Sequence, residues 1–209
     1  SSDGLSPAYT AAKEGHSEVL VLLAEHGASI HSRRRSTGAT PLLTACRNGQ
    51  VHTVKALLGI GADVTVTTAD GATAVYLASQ RGSLPVVQLL VQHGADPHKG
   101  RSSSGGSPLA VACHFGHVHV ASYLIEQGLD VNQANSAGTP PLVFAAQAGH
   151  LDVVQLLLKH GAVFASESRQ GSSGITPLFA ACQEGHSSVA QELLVHGHPV
   201  DVAEAQHGF

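Results

Sequence analysis

The 209-residue chain has no tryptophan, no methionine, and only three tyrosines and five phenylalanines. Large rings bury the most area per side chain and usually anchor a thick globular core. Their scarcity excludes such a core and leaves Leu, Val and Ala to fill thin, closely spaced helices. Charge is scarce too, at 12% of residues with a net charge of −4. A nucleic-acid-binding domain usually needs a basic surplus, so nucleic acid is not an expected partner. No apolar run approaches the about 18 residues of a membrane span, and none is expected to insert. The first residues, SSDGLSPAYT, have neither a basic nor an apolar stretch of the secretory-signal type. Three cysteines cannot make a paired framework, so a reducing interior is expected, cytoplasmic or else nuclear. With 43% hydrophobic residues, the chain is too apolar for disorder.

What is present is a repeat. One glycine recurs as Gly15, Gly49, Gly82, Gly116, Gly149 and Gly185, in steps of 34, 33, 34, 33 and 36 residues. A second follows each by 12 residues, from Gly27 to Gly197. In the same register lie Pro7, Pro41, Ala74, Pro108, Pro141 and Pro177. Within the unit ATPLLTACRNGQVHTVKALLGIGADV, Thr40 is placed to cap a helix. Pro41 sits where a missing N–H costs nothing. Leu42, Ala45 and Cys46 supply one buried stripe, and Gly49 stops the helix. Val51, Val54, Leu57 and Leu58 supply the stripe of a second helix ending at Gly61. A polar, β-branched stretch with Asp70-Gly71 then suits a hairpin turn. Such a unit cannot bury its faces alone but can do so stacked on neighbours.

The pattern resembles the ankyrin repeat: T-P-L-H-x-A, then G-H, a V-V-x-L-L run, then G-A-D. The expected fold is an all-α repeat solenoid of ankyrin-type helix-turn-helix units with β-hairpin fingers. Residues 1–209 read as a single ankyrin-repeat domain of six repeats, at about 3–35, 36–68, 69–101, 102–134, 135–170 and 171–204. The motif's histidine is replaced throughout, by Tyr9, Leu43, Tyr76, Ala110, Val143 and Phe179. Ala74 and Pro140 are local departures. The chain begins and ends in finger sequence, and Val19 to Leu23 leave the first repeat apolar, so a piece of a longer chain is expected.

The 15 histidines invite a metal or catalytic reading. Eight of them take recurrent structural slots: His16, His117, His150 and His186 after the first glycine, and His26, His93, His160 and His196 before the second. No H-E-x-x-H or zinc-type Cys/His spacing occurs, so no metal and no cofactor are expected. Cys46, Cys113 and Cys182 share one slot, filled elsewhere by Ala12, Ser79 and Ala146, that wants a small buried side chain. Alternate repeats lie about 16–20 Å apart at helix-packing distances. A disulfide needs Cα atoms within about 7 Å, so the cysteines cannot bridge one another. No nucleophile elbow or phosphate loop appears, and no enzyme is expected.

The resemblance implies a concave groove of finger tips and inner helices. Arg33, Arg34, Arg35, Arg101 and Arg169 fall in fingers, and Arg47 and Arg81 in the inner-helix slots. The acids Glu18, Glu25, Glu126, Asp152 and Glu192 fall on second helices instead. This sign asymmetry suits an acidic, extended peptide or loop gripped by arginine forks. Phe115, with His114, Phe144 and Tyr76, is the expected apolar anchor. The expected function is therefore a non-catalytic protein-interaction module in an intracellular scaffold, adaptor or regulatory protein. The alternatives are nucleotide or polyphosphate binding by the arginines, and an enzyme using the histidine-rich surface. Nothing in the sequence fixes the oligomeric state.

Overall fold

The computed structural model describes residues 5–164 and 175–199. Twelve helices are described, and the chain divides into two compact units at Ser103–Ser104. The first unit holds α1 (Pro7–Glu14), α2 (Ser17–Glu25), α3 (Pro41–Asn48), α4 (Val51–Gly59), α5 (Ala74–Arg81) and α6 (Leu84–Gln92). The second holds α7 (Pro108–His114), α8 (Val118–Glu126), α9 (Pro141–Gln147), α10 (Leu151–Lys159), α11 (Pro177–Gln183) and α12 (Ser187–Val195).

Each repeat is an antiparallel helix pair, and within each unit each pair stacks on the next. In the first unit α3 packs on α1 and α5, while α4 packs on α2 and α6. In the second α9 packs on α7 and α11, while α10 packs on α8 and α12. The inner helices are short because their ends are coded. Ser6, Thr40, Thr73, Ser107 and Thr176 each accept a hydrogen bond from the N–H three residues on. Pro140 offers no such oxygen, and α9 starts uncapped. The first glycine of each repeat is left-handed, with φ between 70° and 85°. It therefore ends the first helix and starts the reversal into the second.

The core is aliphatic and thin. Leu20, Leu43, Val54, Leu57 and Leu90 are fully buried in the first unit, and Leu109, Leu124, Val154, Leu157 and Leu193 in the second. The expected stripe of the second helix is met by Val54, Leu57 and Leu58, but Val51 is only half-buried and Thr53 is buried instead. On α2 only Leu20 is fully covered, while Val19 and Leu22 are exposed.

The fingers differ from the expected hairpins. Among the described residues the fingers hold isolated bridge positions and turns in place of extended hairpins: Thr67 pairs with Thr73, and Arg101 and Gly106 are bridge residues too. The loop at Asp70-Gly71 closes through Gly71 N–H to Thr68 O (2.9 Å) and Thr68 N–H to Ala72 O (3.0 Å), with φ +77° at Gly71. Only the glycine is left-handed, as in three-residue loops, so the turn is not a primed two-residue one. The finger backbones spend their remaining bonds on their neighbours. Ala69 N–H donates to Thr37 O (2.9 Å) in the first unit, and Ser136 N–H to Ser104 O (3.1 Å) in the second.

Candidate functional site: a cationic surface and a ring cluster

The two units carry different chemistry on the slots singled out in the sequence. In the first unit Arg47 and Arg81 lie in the last turns of α3 and α5, which pack together. Both side chains are exposed. The Arg81 stem crosses the Gly49 turn so closely that a Cβ there would sit 3.1 Å from its Cγ. That places its guanidinium beside the end of the helix that carries Arg47. Neither arginine pairs with an acid among the described residues, whereas Lys13 on α1 faces Glu14 at 3.4 Å. The helix C-termini, with their partial negative charge, support both cations.

The finger arginines are more constrained. Arg33 is exposed, and its Nη1 donates to Thr67 O at 2.9 Å. Arg35 is exposed and Arg34 half-buried, and both make contacts of their own. Arg101 is committed to Asp70, whose carboxylate accepts from both Arg101 Nη2 and the Thr68 hydroxyl. The Thr68 hydroxyl and the Arg101 charge hold the Asp70 carboxyl below the usual carboxylate range. Tyr76 is buried at 8% exposure and lies beside Arg101. Its ring serves the finger's packing and presents little surface. Arg169 lies outside the described residues.

The second unit presents rings. Phe115 follows α7 and is 44% exposed. His114 stands edge-on to Phe115 (centroids 4.9 Å, 88°) and to the half-buried Phe144 (5.8 Å, 87°). Phe115 stacks over His117 at 6.2 Å and 16°. The backbone below is braced as well. His150 Nε2 donates to His114 O (3.1 Å), and His186 Nε2 donates to Gln147 O (3.1 Å). In the first unit Gln50 plays this part, its Nε2 donating to Lys13 O at 2.9 Å.

The histidines before the second glycine act differently. His26, His93 and His196 donate from Nδ1 to the carbonyl four residues back, at 2.8–3.0 Å. A carbonyl only accepts, so the two sets carry their proton on opposite nitrogens. They are helix braces, which is a structural role for most of the recurrent histidines. Among the described residues no three His, Cys, Asp or Glu side chains gather as metal ligands. Among them, too, no helix is long and apolar enough to cross a membrane.

One cysteine departs from expectation. Cys46 and Cys113 are buried, and burial pushes both thiols far up, so neither is a nucleophile at neutral pH. Cys182, in the same slot of α11, is exposed. Its helix packs on α9 and α12, while α3 around Cys46 is also covered by the following inner helix, α5. Phe179, also on α11, is 44% exposed in the slot where Tyr9, Leu43 and Val143 are buried. Nothing in its residue type announces this. It depends on what lies over α11.

The fold and the repeat are those of one family. The family described as ankyrin repeats (3 copies) matches residues 1–68, 53–135, 75–167 and 129–204, and the chain belongs to it. The B-cell lymphoma 3 protein homolog of Mus musculus is 36% identical over 110 residues, covering 53% of this chain and 24% of that protein. The human ankyrin repeat domain-containing protein 63 is 37% identical over 117 residues, covering 52% of this chain and 30% of that protein. These matches thus span a third or less of each relative. The crystal structure of the human ASB11 ankyrin repeat domain matches with a TM-score of 0.86 at 28% identity, over 98% of this chain and 89% of that one. The chain is an all-α repeat solenoid, and its family is one of protein–protein interaction modules.

Proposed function

We propose that the chain docks an acidic, extended segment of a partner protein through the first unit and performs no chemistry of its own. The observation that carries this is the pair Arg47 and Arg81, two exposed cations on packed helix ends with no acid between them. An arginine fork left without an internal partner is ready to grip a carboxylate in a bidentate way. The acids Glu18 and Glu25 are kept on α2, away from these slots. Rim pairs of this kind contribute only about 0.2–1 kcal/mol each. Affinity therefore needs apolar contact as well; separately, the second unit exposes Phe115, held by His114 and His117, as a docking ring in its own right. Buried rings are typical anchors of interfaces. The setting that suits three unpaired cysteines is a reducing one, within a cytoplasmic or nuclear scaffold, adaptor or regulatory protein.

The test is a fluorescence-anisotropy titration of the chain with a labelled Glu/Asp-rich extended peptide containing one aromatic residue. Arg47→Glu/Arg81→Glu should weaken binding about tenfold, equivalent to about 1.4 kcal/mol. Phe115→Ala, in the other unit, tests the ring surface separately, and circular dichroism should be unchanged in both variants. If both variants bind like the parent, the docking surface lies elsewhere. Salt resolves the ligand class: an acidic peptide with a ring anchor should weaken modestly, and a polyphosphate steeply.

A further inference from the structure

The finger between α2 and α3 reads Arg33-Arg34-Arg35-Ser36-Thr37-Gly38, and the docking surface makes no use of its hydroxyls. Ser36 is exposed at the tip of a turn closed by Arg34 N–H to Ala39 O (2.9 Å) and Gly38 N–H to Arg34 O (2.8 Å). Two arginines stand three and two residues before it. Enzymes that select their substrates by charge read such a pattern with acidic clefts, each guanidinium pairing with a carboxylate.

The spacing alone does not choose between Ser36 and Thr37, since Arg34 and Arg35 stand three and two residues before the threonine. The structure does. Thr37 is half-buried where Ser36 is exposed, and its carbonyl accepts from Ala69 N–H at 2.9 Å, which ties its backbone to the next finger. Arg33 is on the rim, tethered by one exposed bond to Thr67 O, and can swing to a partner without disturbing the core. Ser104, with Arg101 three residues before it, is the natural comparator. Its lone arginine is bound to Asp70, and its carbonyl takes both Ser136 N–H (3.1 Å) and Ser136 Oγ–H (2.7 Å).

We propose that Ser36 is a phosphoacceptor for an arginine-directed serine/threonine kinase. Ser36 Oγ attacks the γ-phosphorus of Mg-ATP. The new O–P bond forms as the bond from that phosphorus to the β,γ-bridging oxygen breaks. ADP leaves, and the hydroxyl proton passes to the kinase's catalytic carboxylate. The product carries a charge of about −1.5 to −2 at neutral pH, set directly against three arginines. The net charge of the three arginines falls from +3 to about +1 to +1.5, and guanidinium forks suit phosphate oxygens.

The purified chain is incubated with Mg-ATP and the catalytic subunit of cyclic-AMP-dependent protein kinase, and phosphate is located by mass spectrometry. One phosphate per chain is expected, on Ser36. Ser36→Ala should cut incorporation at least tenfold, and Arg33→Ala/Arg34→Ala should lower kcat/KM for the Ser36 reaction by a similar factor. Incorporation chiefly at Thr37 or at Ser102 to Ser104 would overturn the assignment, as would a folded chain that takes up no phosphate. The readout needs no partner protein, so it stands or falls apart from the docking proposal.

Discussion

Gly149 shows how much one residue can carry. Its φ is +75°, and a Cβ there would meet the His186 ring at 2.6 Å. Gly149→Ala therefore combines a left-handed penalty with a collision, for an expected loss of about 2–4 kcal/mol in urea unfolding. Gly161 has φ +84° and open space around it, so Gly161→Ala should lose only about 1–2 kcal/mol. Adding His186→Ala to Gly149→Ala should recover part of the difference, since the collision goes while one hydrogen bond is lost. A double variant no more stable than Gly149→Ala would show that the histidine is not what crowds the turn. Asp70 offers a pH signature. Its carboxyl is depressed in the folded chain, so its contribution is present above the ordinary carboxyl pKa of about 4 and is lost as pH falls through the depressed value. Asp70→Asn should melt below the parent at pH 7, and the two melting curves should converge in acid. The group is 41% exposed, so solvent screening keeps the difference small.

At the scale of the element, the capping residues separate two roles. Thr40 Oγ1 accepts from Leu43 N–H and does no more for α3. Thr73 Oγ1 accepts from Tyr76 N–H and also donates to Lys99 O at 2.9 Å, so it fastens α5 to the next finger. Thr40→Ala should cost about 1 kcal/mol and Thr73→Ala nearer about 2 kcal/mol, read by chemical unfolding. Equal losses would mean that the Lys99 bond adds nothing. The caps, the prolines at the first turn and the glycine stops were all legible in the sequence because each acts within four residues of itself. The fingers were not. Their bonds run from Ala69 to Thr37 and from Arg101 to Asp70, more than thirty residues away, and no local pattern reveals them. Likewise, the exposure of Phe115 could be read from its slot, but the burial of Tyr76 under Arg101 could not. The burial of Cys46 and exposure of Cys182 differ through their neighbours, since the slot is the same.

For the whole molecule, the energetics follow from nearest-neighbour stacking. Each compact unit contains three helix pairs, about the smallest number that buries a continuous core. Residues 1–103 expressed alone should therefore be helical by circular dichroism and unfold in one cooperative urea transition. Its m-value should be below that of the full chain, because less surface is exposed on unfolding. A fragment that melts without a transition would show that three pairs do not suffice here. The scarcity of large rings has a cost at this scale. With a core of Leu, Val and Ala one helix deep, no single residue dominates, and losses should spread evenly over the repeats.

The backward reach of Gln50, His150 and His186 gives the array a direction. At these three junctions the later module finishes off the helix end of the module before it. Trimming from the far end would leave a bare carbonyl on the last survivor, while trimming from the near end would merely leave an amide or imidazole idle. Among shortened versions of this chain that keep the same number of modules and are cut at these junctions, those missing leading modules should thus outlast those missing trailing ones.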